Sequence, residues 1–230
     1  MRINKYIAKS GIASRRKAEQ FILDGQITVN GETIFDLSYR VQEGDIVSYE
    51  GQIIKPIEQK FYFMLNKPIG YTSTNEDKYA DKTIFDLINE KVRLFSIGRL
   101  DKDSRGLILL TNDGDLYNAI IHPRKVVYKR YELTLNKRFN EEDIIHFTHG
   151  IDIGDYLTQK ANIILTKNPK KLFIEISEGK NRQVRRMFDV LGYRVEDLNR
   201  VSIEKLNLGD LPVGKYRPLT NEEIKYLYTL

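Results

Sequence analysis

Apolar and polar positions follow one arrangement in the first sixty residues and another in the rest of the chain. In the first part, Ser14 is a typical N-cap ahead of an apolar helical stripe, and Gly25 is a typical stop after it. Asn30-Gly31, flanked by apolar residues, is the strongest short signal for a two-residue hairpin turn. The pattern predicts helices over residues 4–9 and 14–23 and strands over residues 27–29, 32–34 and 45–49.

The remainder predicts a second domain with more strands than helices. Strands are expected over residues 61–65, 107–111, 131–135, 161–165 and 172–177, and helices over residues 83–88, 115–121, 141–148, 181–191 and 221–227. The last two strands, joined across Asn168-Pro169, have the spacing of an antiparallel hairpin. We therefore expect an α+β fold with a mixed, mainly antiparallel sheet and flanking helices.

Alternation weakens around Lys55-Pro56, which indicates a linker between the two parts. We expect one domain over residues 1–58 and another over residues 59–230. The total of 230 residues suits two modest domains, and 41% hydrophobic residues are enough for two packed cores.

Several classes of protein are disfavoured by what the sequence lacks. The longest aliphatic run, residues 107–110, is far shorter than the roughly 18 apolar residues that a membrane span needs, and no apolar segment follows the basic start. We expect a cytoplasmic protein, in keeping with the absence of cysteine, which also excludes disulfides and cysteine-ligated zinc. His146 and His149 lack a third ligand, so no metal site is predicted.

Positive charge is clustered rather than spread. The net charge is only +5, but residues 1–17 contain six basic side chains and no acidic one, and residues 124–138 contain six against Glu132 alone. A third patch lies within residues 180–186. A charged run is often only a solvated face, yet three acid-poor patches in one chain favour a polyanion, and we expect a nucleic acid partner.

The densest polar segment, residues 96–106, leads directly into the apolar strand expected from residue 107. Charged loops at the end of a buried strand are common places for functional sites. The same segment could also be a salt-bridged turn, and the residues alone do not choose between Asp101, Asp103 and Asp113 as a catalytic carboxylate.

A second polar segment covers residues 178–188. At helical spacing its apolar residues form a buried stripe, which leaves Arg182, Arg185 and Arg186 at the edge, where a helix N-terminus and basic side chains suit phosphate groups. Residues 209–215 approach a phosphate-binding loop, but Tyr216 stands where a magnesium-binding Ser or Thr is required. No cofactor is therefore predicted.

Five segments of the chain resemble the RsuA-like family of pseudouridine synthases. They are NKPIGY at residues 66–71, GRLDKDSRGLILLTNDG at 98–114, KRY at 129–131, EGKNRQVRRMF at 178–188 and GKYRPLTNEEI at 214–224. Residues 1–34 resemble the S4 RNA-binding domain that precedes the catalytic domain in these enzymes. The match spans nearly the whole chain, and its departures are minor, such as Ser104 where many members have Thr.

The resemblance implies an enzyme that isomerises uridine to pseudouridine within RNA, without a cofactor, and that is a monomer. It implies that Asp101 is the catalytic carboxylate, Arg185 its ion-pair partner, Tyr131 the aromatic residue stacked on the base and Arg99 the side chain that assists base extrusion. A guanidinium beside a carboxylate lowers its pKa, and extruding a base costs a few kcal/mol that stacking and phosphate contacts offset.

The remaining basic residues are expected to position RNA. They are Lys180, Arg182 and Arg186 in the catalytic domain, and Lys5, Arg15, Arg16 and Lys17 in the S4-like domain.

Alternatives remain open at this point. The residues of these motifs favour large-subunit (23S) ribosomal RNA as the substrate, with 16S ribosomal RNA or tRNA as the alternative substrates of the same reaction. A non-catalytic RNA-binding or ribosome assembly protein is the competing function, and an S4-bearing methyltransferase lacks a donor loop. Whether Asp101 attacks C1′ or C6, or acts through a glycal, is also open.

Overall fold

The computed structural model describes residues 1–74, 81–122 and 125–230. The chain divides into two compact units. One contains Met1–Lys60 and Glu90–Arg93, and the other contains Phe61–Asn89 and Leu94–Leu230. Arg124, counted in the second basic patch, lies outside the described residues. Among the helices of the described ranges, none is long and apolar enough to cross a membrane.

The first unit pairs two helices with a small antiparallel sheet. Its elements are α1 (Ile3–Lys9), α2 (Arg15–Leu23), β1 (Ile27–Val29), β2 (Glu32–Thr33), β3 (Val47–Tyr49) and β4 (Gln52–Ile53). The strands lie in the order β2-β1-β3-β4. This is the predicted helix-helix-β arrangement. Strand β4, which pairs with β3, lies in the segment that the sequence indicated as a linker.

Local sequence signals account for this unit. The Ser14 hydroxyl accepts a hydrogen bond from the Lys17 amide at 3.2 Å, which caps α2. Asn30 and Gly31 both have positive φ, 53° and 86°, as the tight turn between β1 and β2 requires. The helices and strands enclose one apolar core, in which Ile7 and Ile22 are fully buried.

The second unit is built on a larger sheet. Its strands are β5 (Tyr62–Lys67), β6 (Phe95–Ile97), β7 (Arg105–Thr111), β8 (Lys129–Leu135), β9 (Asn162–Leu165), β10 (Lys171–Ile176), β11 (Val195–Ile203), β12 (Leu206–Asn207) and β13 (Tyr216–Pro218). Its α-helices are α3 (Gly114–Ile121), α4 (Ile144–His149), α5 (Gln183–Val190) and α6 (Asn221–Leu227). Single turns of 3₁₀ helix occupy Ile84–Leu87 and Glu141–Asp143.

The strand order is β13-β5-β7-β11-β8-β10-β9, with β6 paired to β7 and β12 paired to β11. Among these strand pairings, β7 with β11 is parallel and the others are antiparallel. The predicted α+β fold with a mixed, mainly antiparallel sheet is confirmed. Its one parallel pairing lies at the centre and joins the two halves of the sheet.

Strand β11 is the main element that the sequence pattern missed. It is nine residues long and central, but Glu196, Asp197, Asn199 and Arg200 interrupt any apolar run. Pairs of polar residues separate its hydrophobic residues, and these polar side chains make specific contacts, such as the pair between Asp197 and Arg105 at 2.7 Å. The helix expected over residues 83–88 is only a turn of 3₁₀ helix.

Helices cover the sheet where its side chains are apolar. Leu107 and Leu109 of β7 share a core cluster with residues of α3 and α6. At the other end, Phe147 of α4 and Phe188 of α5 pack with ring centroids 4.9 Å apart. This packing fixes α5, which carries Arg185, against β11.

Gly106 allows the parallel strands to approach closely. Its φ is +109°, and a Cβ added to it would lie 2.3 Å from the Arg200 carbonyl oxygen and 2.5 Å from Asn199 Oδ1. Both are atoms of the neighbouring strand, so the backbone itself would have to move. No other residue type fits without separating β7 from β11.

We therefore expect Gly106→Ala to destabilise the protein by about 3 kcal/mol or more, through the clash in addition to backbone strain. Gly154→Ala is a matched control, because Gly154 has a similar φ of +98° and nothing within 4 Å of the added Cβ. It should cost only about 1 kcal/mol. The measurement is urea unfolding of both variants, and equal losses would contradict the close-approach argument.

Candidate active site

A tight turn between β6 and β7 presents the Asp101 carboxylate. The Ser104 amide donates to the Asp101 carbonyl oxygen at 3.1 Å, and the Gly70 amide donates to the Lys102 carbonyl oxygen at 2.7 Å. Asp101 is half-buried and lines an open cavity of about 450 Å³. The cavity is also lined by Ile69, Gly70, Lys102, Asp103 and Arg182. Within the described ranges, the Asp101 carboxylate oxygens accept no hydrogen bond.

The Lys67 side chain stabilises this turn through hydrogen bonds to its backbone. Its side chain is fully buried, and Nζ donates to the carbonyl oxygens of Asp101 at 2.9 Å, Ser104 at 2.6 Å and Pro68 at 3.1 Å. Burial lowers the pKa of Lys67 to about 8, opposed by the negative charges of Asp101 and Asp103. Sequence reasoning assigned Lys67 no role, although a lysine that ends an otherwise buried strand is a usable signal.

Arg185 does not pair with Asp101. Its guanidinium donates to the carbonyl oxygens of Val195 at 2.6 Å and Asp103 at 2.8 Å, and its Nε lies 3.4 Å from Asp103 Oδ2. The expected ion pair with Asp101 is not formed in this structure, where Asp103 is the carboxylate that Arg185 contacts. The two carboxylates are two residues apart in a tight turn, and Asp103 is the one directed towards α5.

Asp103 is held by a second arginine as well. Arg182 Nη1 donates to Asp103 Oδ2 at 2.8 Å. Burial tends to raise the pKa of Asp103, but the Arg182 hydrogen bond and the charges of both arginines lower it below its usual value. Asp103 is therefore an ionised, engaged carboxylate, unlike the open carboxylate of Asp101.

Asp113, the third candidate carboxylate, has a structural environment. It is buried, caps α3 by accepting from the Asp115 amide at 3.1 Å, and accepts hydrogen bonds from the hydroxyls of Tyr62 at 2.9 Å and Tyr228. These bonds tie α3, β5 and the end of α6 together. Of the three acids that sequence alone left open, Asp101 is the one that faces a cavity without an engaged side chain.

Tyr131 lies in one row of residues across four strands. Lys67 of β5 faces Gly106 of β7, Gly106 faces Arg200 of β11, and Arg200 faces Tyr131 of β8. Tyr131 is 7% exposed, and the Arg200 guanidinium carbon lies 6.0 Å from its ring centroid. The row connects the support of the Asp101 turn with the aromatic ring. Arg200 was not identified from the sequence, because β11 itself was missed.

The other basic residues expected at the site differ in exposure and in the contacts that their side chains make. Arg99 is exposed, and the Lys180 ammonium lies 5.5 Å from the Tyr156 ring centroid. Arg186 is engaged by Asp155 and by the Ile153 carbonyl oxygen. Arg182, Lys180 and Arg186 thus share one segment, and two of the three already have carboxylate partners.

The basic residues of the first unit lie at the start of α2. Arg15, Arg16 and Lys17 are exposed in its first turn, which contains no acidic residue, while Lys5 is half-buried on α1. Cations at the positive end of a helix dipole are unfavourable unless an anion is present. Elsewhere, across the described ranges, no group of three or more His, Asp or Glu side chains could hold a metal ion.

Comparison with known proteins gives matches to both units. The family model described as RNA pseudouridylate synthase matches residues 61–189, and the S4 domain model matches residues 1–47. The dual-specificity RNA pseudouridine synthase RluF of Escherichia coli (strain K12) is 42% identical over 100% of this chain and 79% of its own length.

Two further relatives cover almost their full lengths. Ribosomal large subunit pseudouridine synthase B of Bacillus subtilis (strain 168) is 37% identical over 100% of this chain and 96% of its own. A crystal structure of a pseudouridylate synthase aligns with a TM-score of 0.73 at 34% identity, covering 99% of both chains.

The buried Lys67 should make stability depend on pH. Its pKa is about 8 in the folded protein and about 10.5 when unfolded, so between these values the unfolded chain binds more protons and stability rises with pH. Relative to Lys67→Met, the wild-type protein should gain about 3 kcal/mol of unfolding free energy from pH 8 to 10.5. Urea titrations of both proteins measure this, and parallel pH profiles would contradict it. Lys129, whose pKa is also about 8, contributes equally to both proteins.

Proposed function

The chain belongs to the RsuA-like RNA pseudouridine synthases, with an S4 domain ahead of its synthase domain, and we propose that it isomerises uridine in large-subunit ribosomal RNA with Asp101 as the catalytic carboxylate. The reaction breaks the N1–C1′ bond of a uridine and forms a C5–C1′ bond. The C5 proton is lost and N1 gains one, so the product is an isomer of the substrate.

The observation that carries the Asp101 role is the contrast between an anchored backbone and an open carboxylate. The carbonyl oxygen of Asp101 is fixed by Lys67 and by the Ser104 amide, while its side chain lines the cavity. A carboxylate that attacks C1′ or C6, or that assists removal of a sugar proton, must be ionised and reachable. A preorganised turn delivers it to the sugar at little further entropic cost.

Arg185 acts in this proposal on the turn rather than on the Asp101 side chain. By donating to the Asp103 carbonyl oxygen, it fixes the residue two positions beyond Asp101. Arg185 is therefore a positioning residue in the substrate-free protein.

Tyr131 and Arg99 are proposed to handle the base. A flipped uracil needs a stacking surface in place of its neighbours in the RNA, and an aromatic ring provides one worth about 1–3 kcal/mol per base. Arg99 is exposed two residues before Asp101, which suits a side chain that enters the space left by the base. Lys180, Arg182 and Arg186 are proposed to contact phosphates beside it.

The substrate assignment rests on the relatives. The Bacillus subtilis protein is named for the ribosomal large subunit, whereas the Escherichia coli protein is named as dual-specificity. We propose large-subunit ribosomal RNA as the substrate, with 16S ribosomal RNA and tRNA as the alternatives that an experiment must separate.

Pseudouridines should be mapped in 23S and 16S ribosomal RNA and in tRNA from cells with and without this protein, by carbodiimide labelling and primer extension. We expect loss of at least one 23S signal, which wild-type protein restores. Asp101→Ala should not restore it, because removal of the carboxylate lowers the rate by at least about 1,000-fold. A signal lost only from 16S RNA or tRNA would redirect the substrate assignment.

Asp103→Asn is the matched comparison for Asp101→Ala. Since Asp103 is engaged by arginines and its backbone carbonyl is retained in the variant, we expect a reduction of about tenfold or less. A variant at Asp101 that still forms pseudouridine would contradict the catalytic role and favour a non-catalytic RNA-binding function.

The first turn of α2 is proposed to bind RNA phosphates. We expect the double variant Arg15→Glu, Arg16→Glu to weaken RNA affinity by about tenfold or more and to reduce the salt dependence of log K by about 2. Lys167→Glu, Lys170→Glu is a control with the same charge change at exposed positions of the second unit. Filter binding at several salt concentrations measures both, and equal effects would show only a response to net charge.

A further inference from the structure

Arg200 is a buried cation whose bonding capacity is largely unused. It is 3% exposed, and its Nε donates to the Leu107 carbonyl oxygen at 2.7 Å. Its Nη2 is buried and has no hydrogen-bond partner among the residues that the structure describes. A buried charged group with unpaired N–H groups is unfavourable, and a catalytic role is one of the reasons for which native proteins retain such groups.

The position of Arg200 connects it to the site already described. In the row across the sheet, it lies between Gly106, which is five residues after Asp101, and Tyr131. Its guanidinium packs against the Tyr131 ring, with 6.0 Å between the guanidinium carbon and the ring centroid. A base stacked on that ring would therefore have the guanidinium close by.

The charges around Arg200 leave it without a dedicated counter-ion. Its positive charge lowers the pKa of two lysines, the fully buried Lys67 on β5 and the half-buried Lys129 on β8, in addition to the larger effect of burial. The carboxylates that act on these lysines are Asp101, Asp103, Glu178 and Glu204. No ion pair joins any of them to Arg200 in the described part of the chain. As far as the structure describes the chain, the Arg200 guanidinium thus keeps an unpaired, buried N–H group and a positive charge, which suit an electron-rich oxygen.

The reaction supplies such an oxygen. When the N1–C1′ bond breaks, its electron pair leaves with uracil, and the negative charge spreads from N1 to the carbonyl oxygens O2 and O4. The anion must stay in place while the ring turns, until C5 bonds to C1′, the C5 proton leaves and N1 is protonated. A fixed donor in a water-poor site stabilises developing charge of this kind more than water does.

We propose that Arg200 is a catalytic residue that donates a hydrogen bond to a carbonyl oxygen of the flipped uracil and holds the uracil anion during its rotation. The inference rests on the proposed function and deepens it, because it names the group that binds the detached base. Arg200 then acts on the detached base, whichever atom of the nucleoside Asp101 engages.

The test compares Arg200→Lys and Arg200→Gln with wild type in single-turnover reactions on a stem-loop that contains the uridine found by mapping. Both variants keep an N–H donor for the Leu107 carbonyl oxygen. We expect rates about 100-fold below wild type with RNA affinity changed less than twofold, since the interaction forms mainly as charge develops. Arg194→Lys, at an exposed arginine beside β11 that pairs with Glu196 and lies outside the three basic patches, should stay within twofold of wild type.

Modified substrates identify the atom that Arg200 contacts. Replacing the target uridine with 2-thiouridine or 4-thiouridine weakens one carbonyl acceptor, and one of them should slow wild type more than it slows the Arg200 variants. A methylphosphonate at the target nucleotide removes a phosphate charge instead. The uracil assignment is overturned if the methylphosphonate slows wild type more than it slows the Arg200 variants while the thiouridines slow all of them equally. Arg200 would then contact a phosphate.

A measurement on the wild-type protein covers the case in which the variants do not fold. Irradiation of the complex with 4-thiouridine at the target should crosslink the base to the peptide that contains Arg200 or to the one that contains Tyr131. Crosslinks confined to other peptides would overturn the proposal. An inactive wild-type protein contradicts the proposed function, whereas an active one with wild-type rates for Arg200→Lys contradicts this inference alone.

Discussion

A buried ammonium group determines the geometry of the active-site turn. The three donors of Lys67 are directed at three backbone carbonyl oxygens, two of which belong to Asp101 and Ser104. Transferring a charged amine out of water is unfavourable unless each donor finds an acceptor, so the turn and the lysine define each other's position. Because the bond from Lys67 goes to the backbone of Asp101, the Asp101 carboxylate takes no part in holding the turn and lines the cavity.

The two carboxylates of this turn have different environments. Asp103 engages Arg182 and Arg185 and thereby connects the turn to α5, while Asp101 keeps its side chain towards the cavity. A carboxylate that accepts a hydrogen bond from one guanidinium group and lies 3.4 Å from a second is a weaker nucleophile and base than an open one. In the substrate-free protein, the arginines therefore stabilise the loop without occupying the acid proposed for catalysis.

The sequence predicted those parts of this arrangement whose signals are local. Asn30-Gly31 indicates its hairpin, Ser14 its helix cap, and the segment from Arg99 to Gly114 resembles a known catalytic loop. Strand β11 was missed because polar side chains such as Asp197 and Arg200 interrupt its pattern, and their partners lie on β7, about ninety residues away. Whether Arg185 engages Asp101 or Asp103 depends on side-chain direction within one turn, which periodicity does not encode.

The parallel pairing of β7 with β11 explains how these distant parts meet. A parallel pair needs a long connection, and here β8, β9, β10 and α5 all lie in the chain between the two strands. The strand that begins after the Asp101 turn therefore lies beside the strand that carries Arg200, and β8 with Tyr131 borders the latter. Gly106 permits the required approach at that level of the sheet. One crossover connection thus brings the strand that follows the Asp101 turn, the Arg200 guanidinium and the Tyr131 ring side by side in the sheet.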